Sequence, residues 1–165
     1  MTVALYPASF DPVTFGHVDI AERAARLFER VVVAAVFARP AKNLMFSPEA
    51  RHMMTKIALA HLKNVEVVLY SGLTVDFARK IGAGVIIRGL RAISDFEAEM
   101  QQALANQSLA PEIDTICLMN SQQYSFISSS IVKEIAMNGG EISHLVPPHV
   151  AKALAERYQQ LKQQA

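Results

Sequence analysis

At 165 residues, with 52% of them apolar and a formal net charge of +1, the chain has the size and composition of a globular domain with a full core. The balanced charge and the lack of a long Lys/Arg run exclude an electrostatic footprint on DNA or RNA, so no nucleic-acid partner is expected. Cys117 is the single cysteine, which excludes an internal disulfide framework, and no signal peptide or apolar span of about 20 residues is readable. These features point to a cytoplasmic protein with no membrane contact.

Short apolar runs alternate with longer amphipathic stretches along the chain. Val3 to Tyr6 reads as a first strand, followed by a Pro-Ala-Ser turn and a loop punctuated by Asp11 and Pro12. Gly16 to Glu29 reads as a helix with Ile20, Ala24, Leu27 and Phe28 on one face. Val31 to Phe37 is a run of the kind buried on both faces of a parallel sheet. A loop over Arg39 to Phe46 carries Lys42. Ser47-Pro48-Glu49 then starts a helix to about His61, with a hydroxyl N-cap, a proline at N1 and an acid in the first turn. Val65 to Leu69 is the third strand, Thr74 to Ile81 a helix, and Val85 to Ile87 the fourth strand, left by a loop Arg88-Gly89-Leu90-Arg91. Ser94 and Glu97 make a capping box that opens a helix to about Ser108. Thr115 to Met119 is the fifth strand, with Cys117 expected in the core. Ile127 to Ser130 starts a helix that stops at Gly139-Gly140, and Pro147-Pro148 introduces a last helix to about Lys162.

Strands alternating with helices, without linker or repeat, predict one α/β domain over residues 1–165, a doubly wound five-stranded parallel sheet. Ligands of such sheets bind outside the C-terminal strand ends, where strand order reverses. The sequence has no GxGxxG after a strand, no GxxxxGK[ST] and no GxSxG. Its five histidines show no metal-ligand spacing, so no metal-binding side chains are expected.

The residues left to carry chemistry lie in the strand-end loops. Val3 to His17 reads strand, tight loop, helix N-terminus, a geometry that offers free backbone N–H groups to a phosphate. His17 stands at the mouth of that helix, where a ring nitrogen can donate to a phosphoryl oxygen. Arg88 and Arg91 suit bidentate phosphate recognition, although arginines at strand ends are also ordinary surface charge. Ser128, Ser129 and Ser130 outnumber what helix capping needs and suit a polyphosphate. Taken alone, Lys42 is a solvated loop cation and Glu99 a helix-surface acid.

Ser9-Phe10-Asp11-Pro12 followed by Thr14-Phe15-Gly16-His17 resembles the (T/H)xGH signature of the nucleotidyltransferase superfamily. With IIRGLRAISDFEAEM in the middle and FISSSIVKEIA near the end, the whole chain resembles the bacterial phosphopantetheine adenylyltransferases. The resemblance implies a Rossmann-like nucleotidyltransferase fold. It also implies the transfer of the adenylyl group of ATP to 4′-phosphopantetheine, giving dephospho-coenzyme A and pyrophosphate, the penultimate step of coenzyme A synthesis. Mg²⁺ as cofactor, a homohexamer, and coenzyme A as a feedback ligand are implied with it.

Carried over position by position, His17 and Lys42 would be catalytic, steadying the α-phosphate and bridging the phosphates of acceptor and nucleotide. Ser9 would touch both substrates, and Phe10 would offer backbone to ATP. Thr74 would meet the pantetheine arm and Arg88 the acceptor phosphate. Gly89, Leu90, Arg91 and Glu99 match nucleotide-binding positions, as do Tyr124, Ser125, Phe126, Ile127, Ser128, Ser129 and Ser130. Ser9 replaces a common threonine but keeps the hydroxyl, and Ala8 replaces a frequent glycine, so no positive φ is expected there. Ala98 and Tyr124 stand where tyrosine and tryptophan are frequent. Two other readings share these motifs: a sister enzyme adenylylating nicotinate mononucleotide or transferring CMP, and a non-catalytic nucleotide sensor.

Overall fold

The computed structural model describes residues 2–36, 44–91 and 93–164. In chain order these form β1 (Val3–Ala8), α1 (Phe15–Leu27), β2 (Arg30–Val36), α2 (Pro48–Ala58), β3 (Val65–Tyr70), α3 (Thr74–Ile81), β4 (Val85–Leu90), α4 (Ile93–Leu109), β5 (Asp114–Met119), a 3-10 turn (Gln122–Tyr124), α5 (Ser129–Met137) and α6 (Pro148–Gln164). All strand pairs are parallel, in the order β3-β2-β1-β4-β5. The chain winds outward from β1 to β3, then crosses back to lay β4 on the other side of β1. That reversal opens the crevice between the C-terminal ends of β1 and β4, as a doubly wound α/β sheet requires.

Side-chain alternation along the strands sorts the core into two layers. Leu5, Val32, Ala34 and Ile86 face Val75 and Ala78 of α3. Ala4, Tyr6, Val31, Val33 and Ile87 face Ile20, Ala21 and Ala24 of α1 and Val150 and Leu154 of α6. Each large aliphatic fully buried in this way contributes roughly 1.5–3 kcal/mol. Residues Val31 to Ala35 of β2 are buried throughout, as the apolar run predicts. Ser47 caps α2 by accepting from Ala50 N–H, with Pro48 in the first turn.

Several expectations are corrected. β1 continues through Pro7 and Ala8 rather than turning at Pro7. Its pairing with β4 covers Ala4–Val85 and Leu5–Ile86, so proline's missing N–H lies beyond that ladder. β4 includes Arg88, Gly89 and Leu90, which are paired with β5 and not in a loop. α4 begins at Ile93, so Ser94 lies inside the first turn instead of capping it. Leu27 is exposed although it falls seven residues beyond the buried Ile20 on the same side of α1; it is the last residue of that helix. Cys117 is exposed as well, because β5 is an edge strand. Ala8 needs no positive φ; the left-handed residue is Phe10 (φ +48°), two positions on.

Candidate active site

A cavity of about 540 Å³ opens at the β1–β4 crevice. Its wall is built from the β1–α1 loop, the C-terminal end of β4, the second turn of α4 and the N-terminus of α5. Ser9, Phe10, His17, Arg88, Gly89, Arg91, Glu99, Ile127, Ser128, Ser129 and Ser130 all line it, so most of the residues expected from sequence come together. Leu90, Thr74, Tyr124, Ser125 and Phe126 do not. Thr74 starts α3 and its Oγ1 lies 3.0 Å from Tyr70 Oη. Tyr124 stacks on Phe15 over a second hollow between α1 and α2, Ser125 Oγ donates to Gln122 O, and Phe126 is exposed. Lys42 lies outside the described residues.

His17 is held by a capping box at the start of α1. Its N–H lies 3.4 Å from Thr14 Oγ1, while its own Nδ1 accepts the Thr14 backbone N–H at 3.0 Å. A glutamate or glutamine usually fills the N3 position of this motif. Here the imidazole does so, which decides its chemistry. The Thr14 N–H can only donate, so Nδ1 carries no proton, and the Thr14 hydroxyl at 2.9 Å also donates to it. The ring proton therefore sits on Nε2, which has no partner among the described residues. Burial lowers the His17 pKa to about 4, with Arg91 and then Arg88 opposing protonation further. The site thus holds a neutral imidazole with one N–H to give. Phe10, its ring 5.1 Å from the imidazole and at 61° to it, fixes the ring's other face.

The helix N-termini meet expectation in part. In α1, Phe15 N–H donates to Leu145 O, and His17 and Val18 to Thr14 O, leaving Gly16 as the free first-turn amide among the described residues. In α5, Ser128 is the N-cap and accepts from Ile131 N–H, and Ser129 Oγ donates to Pro12 O. Ser130 stays exposed at the cavity. Ser9 Oγ is buried in the cavity wall without a hydrogen-bond partner among the described residues, an orphan that a bound ligand or water can satisfy.

Each described cation of the wall is paired with a carboxylate. Arg88 gives Nε and Nη2 to the two oxygens of Glu99 at 2.5 and 2.8 Å, and Nη1 to Pro7 O at 2.8 Å. Burial works against the Arg88 charge, and Glu99 more than offsets it, holding its pKa above the ordinary value. Arg91 gives its backbone N–H, Nε and Nη2 to Asp95. Lys133 Nζ lies 2.8 Å from Asp11, whose carboxylate also accepts Met45 N–H and Phe46 N–H. Among the described residues no group of His, Cys, Asp and Glu is placed to hold a metal ion.

Asp11, Lys133 and Asn120 are among the lining residues that sequence reasoning did not place in the site. Asp11 and Lys133 lie inside the quoted motifs, and their separation by 122 positions hides their contact. Asn120 donates from Nδ2 to Gly16 O and sits close enough to Gly16 and Gly89 that a Cβ on either would meet its amide at 3.2–3.4 Å. The two glycines make room for it, which explains their positions physically.

A strand-end crevice lined by carboxylate-paired cations, with a neutral imidazole at a helix mouth, is the kind of site a nucleotidyltransferase needs, and the cytidylyltransferase-like family model matches residues 5–135. The fold is similar to a nicotinate-nucleotide adenylyltransferase from Vibrio parahaemolyticus, with TM-score 0.70 and 18% identity, covering 94% of this chain and 99% of that one. It is also similar to Plasmodium falciparum nicotinic acid mononucleotide adenylyltransferase, with TM-score 0.68 and 16% identity over 95% of each chain. In sequence the chain is 56% identical over 156 residues to phosphopantetheine adenylyltransferase of Synechococcus sp. (strain JA-3-3Ab), covering 94% of this chain and 98% of that protein. It is 53% identical over 159 residues to that of Herpetosiphon aurantiacus, covering 96% of both. The chain belongs to the phosphopantetheine adenylyltransferase family.

Proposed function

We propose that the protein transfers the adenylyl group of ATP to 4′-phosphopantetheine, releasing dephospho-coenzyme A and pyrophosphate. The observation that carries this reading is the convergence of His17, Arg88, Arg91 and the α5 N-terminus on one cavity, in a chain more than half identical to proteins named for that reaction. An oxygen of the acceptor phosphate forms a bond to the α-phosphorus of ATP. The bond from that phosphorus to the oxygen bridging to the β-phosphate breaks, and pyrophosphate leaves with the electron pair. The nucleophile is already an anion, so no general base is needed. The protein's task is positioning and charge stabilisation.

His17 donates from Nε2 to the α-phosphoryl oxygens as charge develops. Arg88 holds the acceptor phosphate, and Arg91, Gly89 and Leu90 meet the nucleotide. Ser128 to Ser130 and the α5 N–H groups meet the outer phosphates, with Tyr124 to Ile127 completing that loop and Ser9 between the substrates. Lys42 bridges the two phosphate chains, and Thr74 meets the pantetheine arm. The described wall carboxylates Asp11 and Glu99 are already bonded to cations, so Mg²⁺ would come with the triphosphate and not on these side chains. Bound there, it would neutralise charge on the leaving pyrophosphate.

A cytoplasmic homohexamer belongs to the same reading. No helix among the described residues is long and apolar enough to cross a membrane. Phe96, Met100 and Leu104 leave an exposed apolar stripe along α4 beside the edge strand β5, a surface suited to a second copy. Coenzyme A, which carries both the pantetheine arm and an adenine nucleotide, suits the same cavity as a feedback ligand.

The test is pyrophosphate release from Mg-ATP with 4′-phosphopantetheine, beside nicotinate mononucleotide and no acceptor. Release with phosphopantetheine alone is expected. Release with nicotinate mononucleotide instead, or with no acceptor, contradicts the proposal.

A further inference from the structure

Arg51 is the largest side chain fully buried among the described residues. It stands one turn into α2, behind the cavity wall and not on it. A guanidinium at such depth is costly unless its donors are used. Its Nη1 donates to Ser9 O at 2.6 Å and its Nε to Phe46 O at 3.2 Å. The first is a short, charge-assisted bond, and it falls on the β1–α1 loop where that loop meets the cavity.

Ser9 O and Phe10 N–H belong to one planar trans peptide, so they point in opposite directions. With the oxygen turned back towards Arg51, the N–H is turned away from α2. Phe10 N–H has no partner among the described residues, and neither has the buried Ser9 Oγ beside it. Both residues line the cavity. Phe10 carries the other sign of this orientation: its φ of +48° lies in the left-handed region, which a bulky side chain avoids. Rotating the peptide plane about its two flanking bonds would return φ to negative values and turn both the oxygen and the N–H round. The preference of phenylalanine therefore opposes the observed orientation, and the Arg51 bond favours it.

We propose that Arg51 is a positioning residue of the nucleotide subsite: it holds the Ser9–Phe10 peptide with its N–H towards the cavity, where that N–H donates to a phosphate oxygen of ATP. The inference rests on the part of the proposed function that places ATP in this cavity. Because the peptide is set before ATP arrives, the donor needs no reorganisation on binding.

Two measurements test this. The first uses the wild-type protein. Carbonyl-labelled serine with nitrogen-labelled phenylalanine singles out the Ser9–Phe10 amide by NMR; Ser125–Phe126 is the other such pair in the sequence, and Phe126→Leu assigns it. ATP added without acceptor should shift the Phe10 amide resonance and slow its exchange with water. The second uses Arg51→Gln and Arg51→Lys, each studied well below its melting temperature. Arg51→Gln should weaken calorimetric ATP binding about tenfold, equivalent to about 1.4 kcal/mol, with the KM for 4′-phosphopantetheine changed less than about threefold. Its Phe10 amide should resonate elsewhere before ATP is added and respond less when it is. Arg51→Lys keeps the buried charge but loses the planar fork that serves two carbonyls, so it should weaken ATP binding in the same direction by less. It also carries the test if Arg51→Gln does not fold.

A Phe10 amide that ATP leaves unmoved in the wild type overturns the inference, since the N–H then does not meet the nucleotide. Variants that melt earlier but bind ATP with wild-type affinity overturn it too, because Arg51 is then only a structural residue. Equal weakening of both substrates overturns it as a general collapse of the loop. Wild-type protein that shows the amide response but releases no pyrophosphate with phosphopantetheine contradicts the proposed reaction and leaves this inference standing.

Discussion

Acidification should cost the wild-type protein more stability than a His17→Gln variant, and the difference follows from one side chain. Glutamine suits the comparison because it is a normal N3 partner in a capping box, so its carbonyl oxygen can accept Thr14 N–H without titrating. The folded-state pKa of His17 lies at about 4, below its ordinary 6.5, so the unfolded chain takes up this proton first. Above pH 6.5 the group adds no pH dependence. As pH falls from 6.5 towards 4 it removes stability at about 1.4 kcal/mol per unit, and below the folded pKa the loss stops growing. The integrated loss is about 3 kcal/mol. Urea denaturation of both proteins at several pH values across this window measures it, because every other titrating group is shared. Stability is a cleaner readout than rate here, since a phosphate monoester itself titrates near pH 6. Parallel stability–pH curves for the two proteins would refute the neutral, Nε2-protonated imidazole.

Other expectations come from the groups that hold the wall in place. Asp11→Asn should destabilise the fold by about 3–5 kcal/mol, because it leaves the Lys133 ammonium without its buried carboxylate and turns a donor towards it; thermal or chemical denaturation reads this directly. Thr14→Val removes the N-cap hydroxyl of α1 and should cost about 1 kcal/mol in the same assay. Gly89→Ala brings a Cβ to 3.2 Å from Ile20 Cγ1 and 3.4 Å from Asn120 Oδ1, so it should weaken nucleotide binding by calorimetry while the protein remains folded. Asn120→Ala in that background should relieve little of the loss, since the tighter contact, Ile20 Cγ1 at 3.2 Å, remains.

Much of the architecture was legible because it is local. Ser47-Pro48-Glu49 starts α2 as its chemistry dictates, the apolar run after Arg30 becomes a strand buried on both faces, and five strands alternating with helices give the parallel sheet. The His17 loop was also readable, since strand, cap and helix lie within fifteen residues. What escaped depends on partners distant in sequence. Cys117 is apolar in its local context and exposed only because β5 is the edge strand. Arg88 to Leu90 extend β4 because β5 continues to pair with them. Glu99 reads as a surface acid until α4 crosses the end of β4 and sets its carboxylate against Arg88. The Asp11–Lys133 contact joins the β1–α1 loop to helix α5 and has no signature within either. That the N3 partner of the α1 capping box is a histidine is visible in sequence; that its Nδ1 accepts, fixing the tautomer, emerges only in the folded loop.

In the proposed reaction His17 is the donor to the reacting α-phosphoryl group, and its removal tests that role most directly. Single-turnover pyrophosphate release by His17→Ala, measured with Mg-ATP and 4′-phosphopantetheine on protein shown to be folded, should be slower than wild type by a barrier of roughly 2.7–4 kcal/mol, about a hundredfold to a thousandfold, with ATP affinity little changed. Turnover near the wild-type rate would contradict the account.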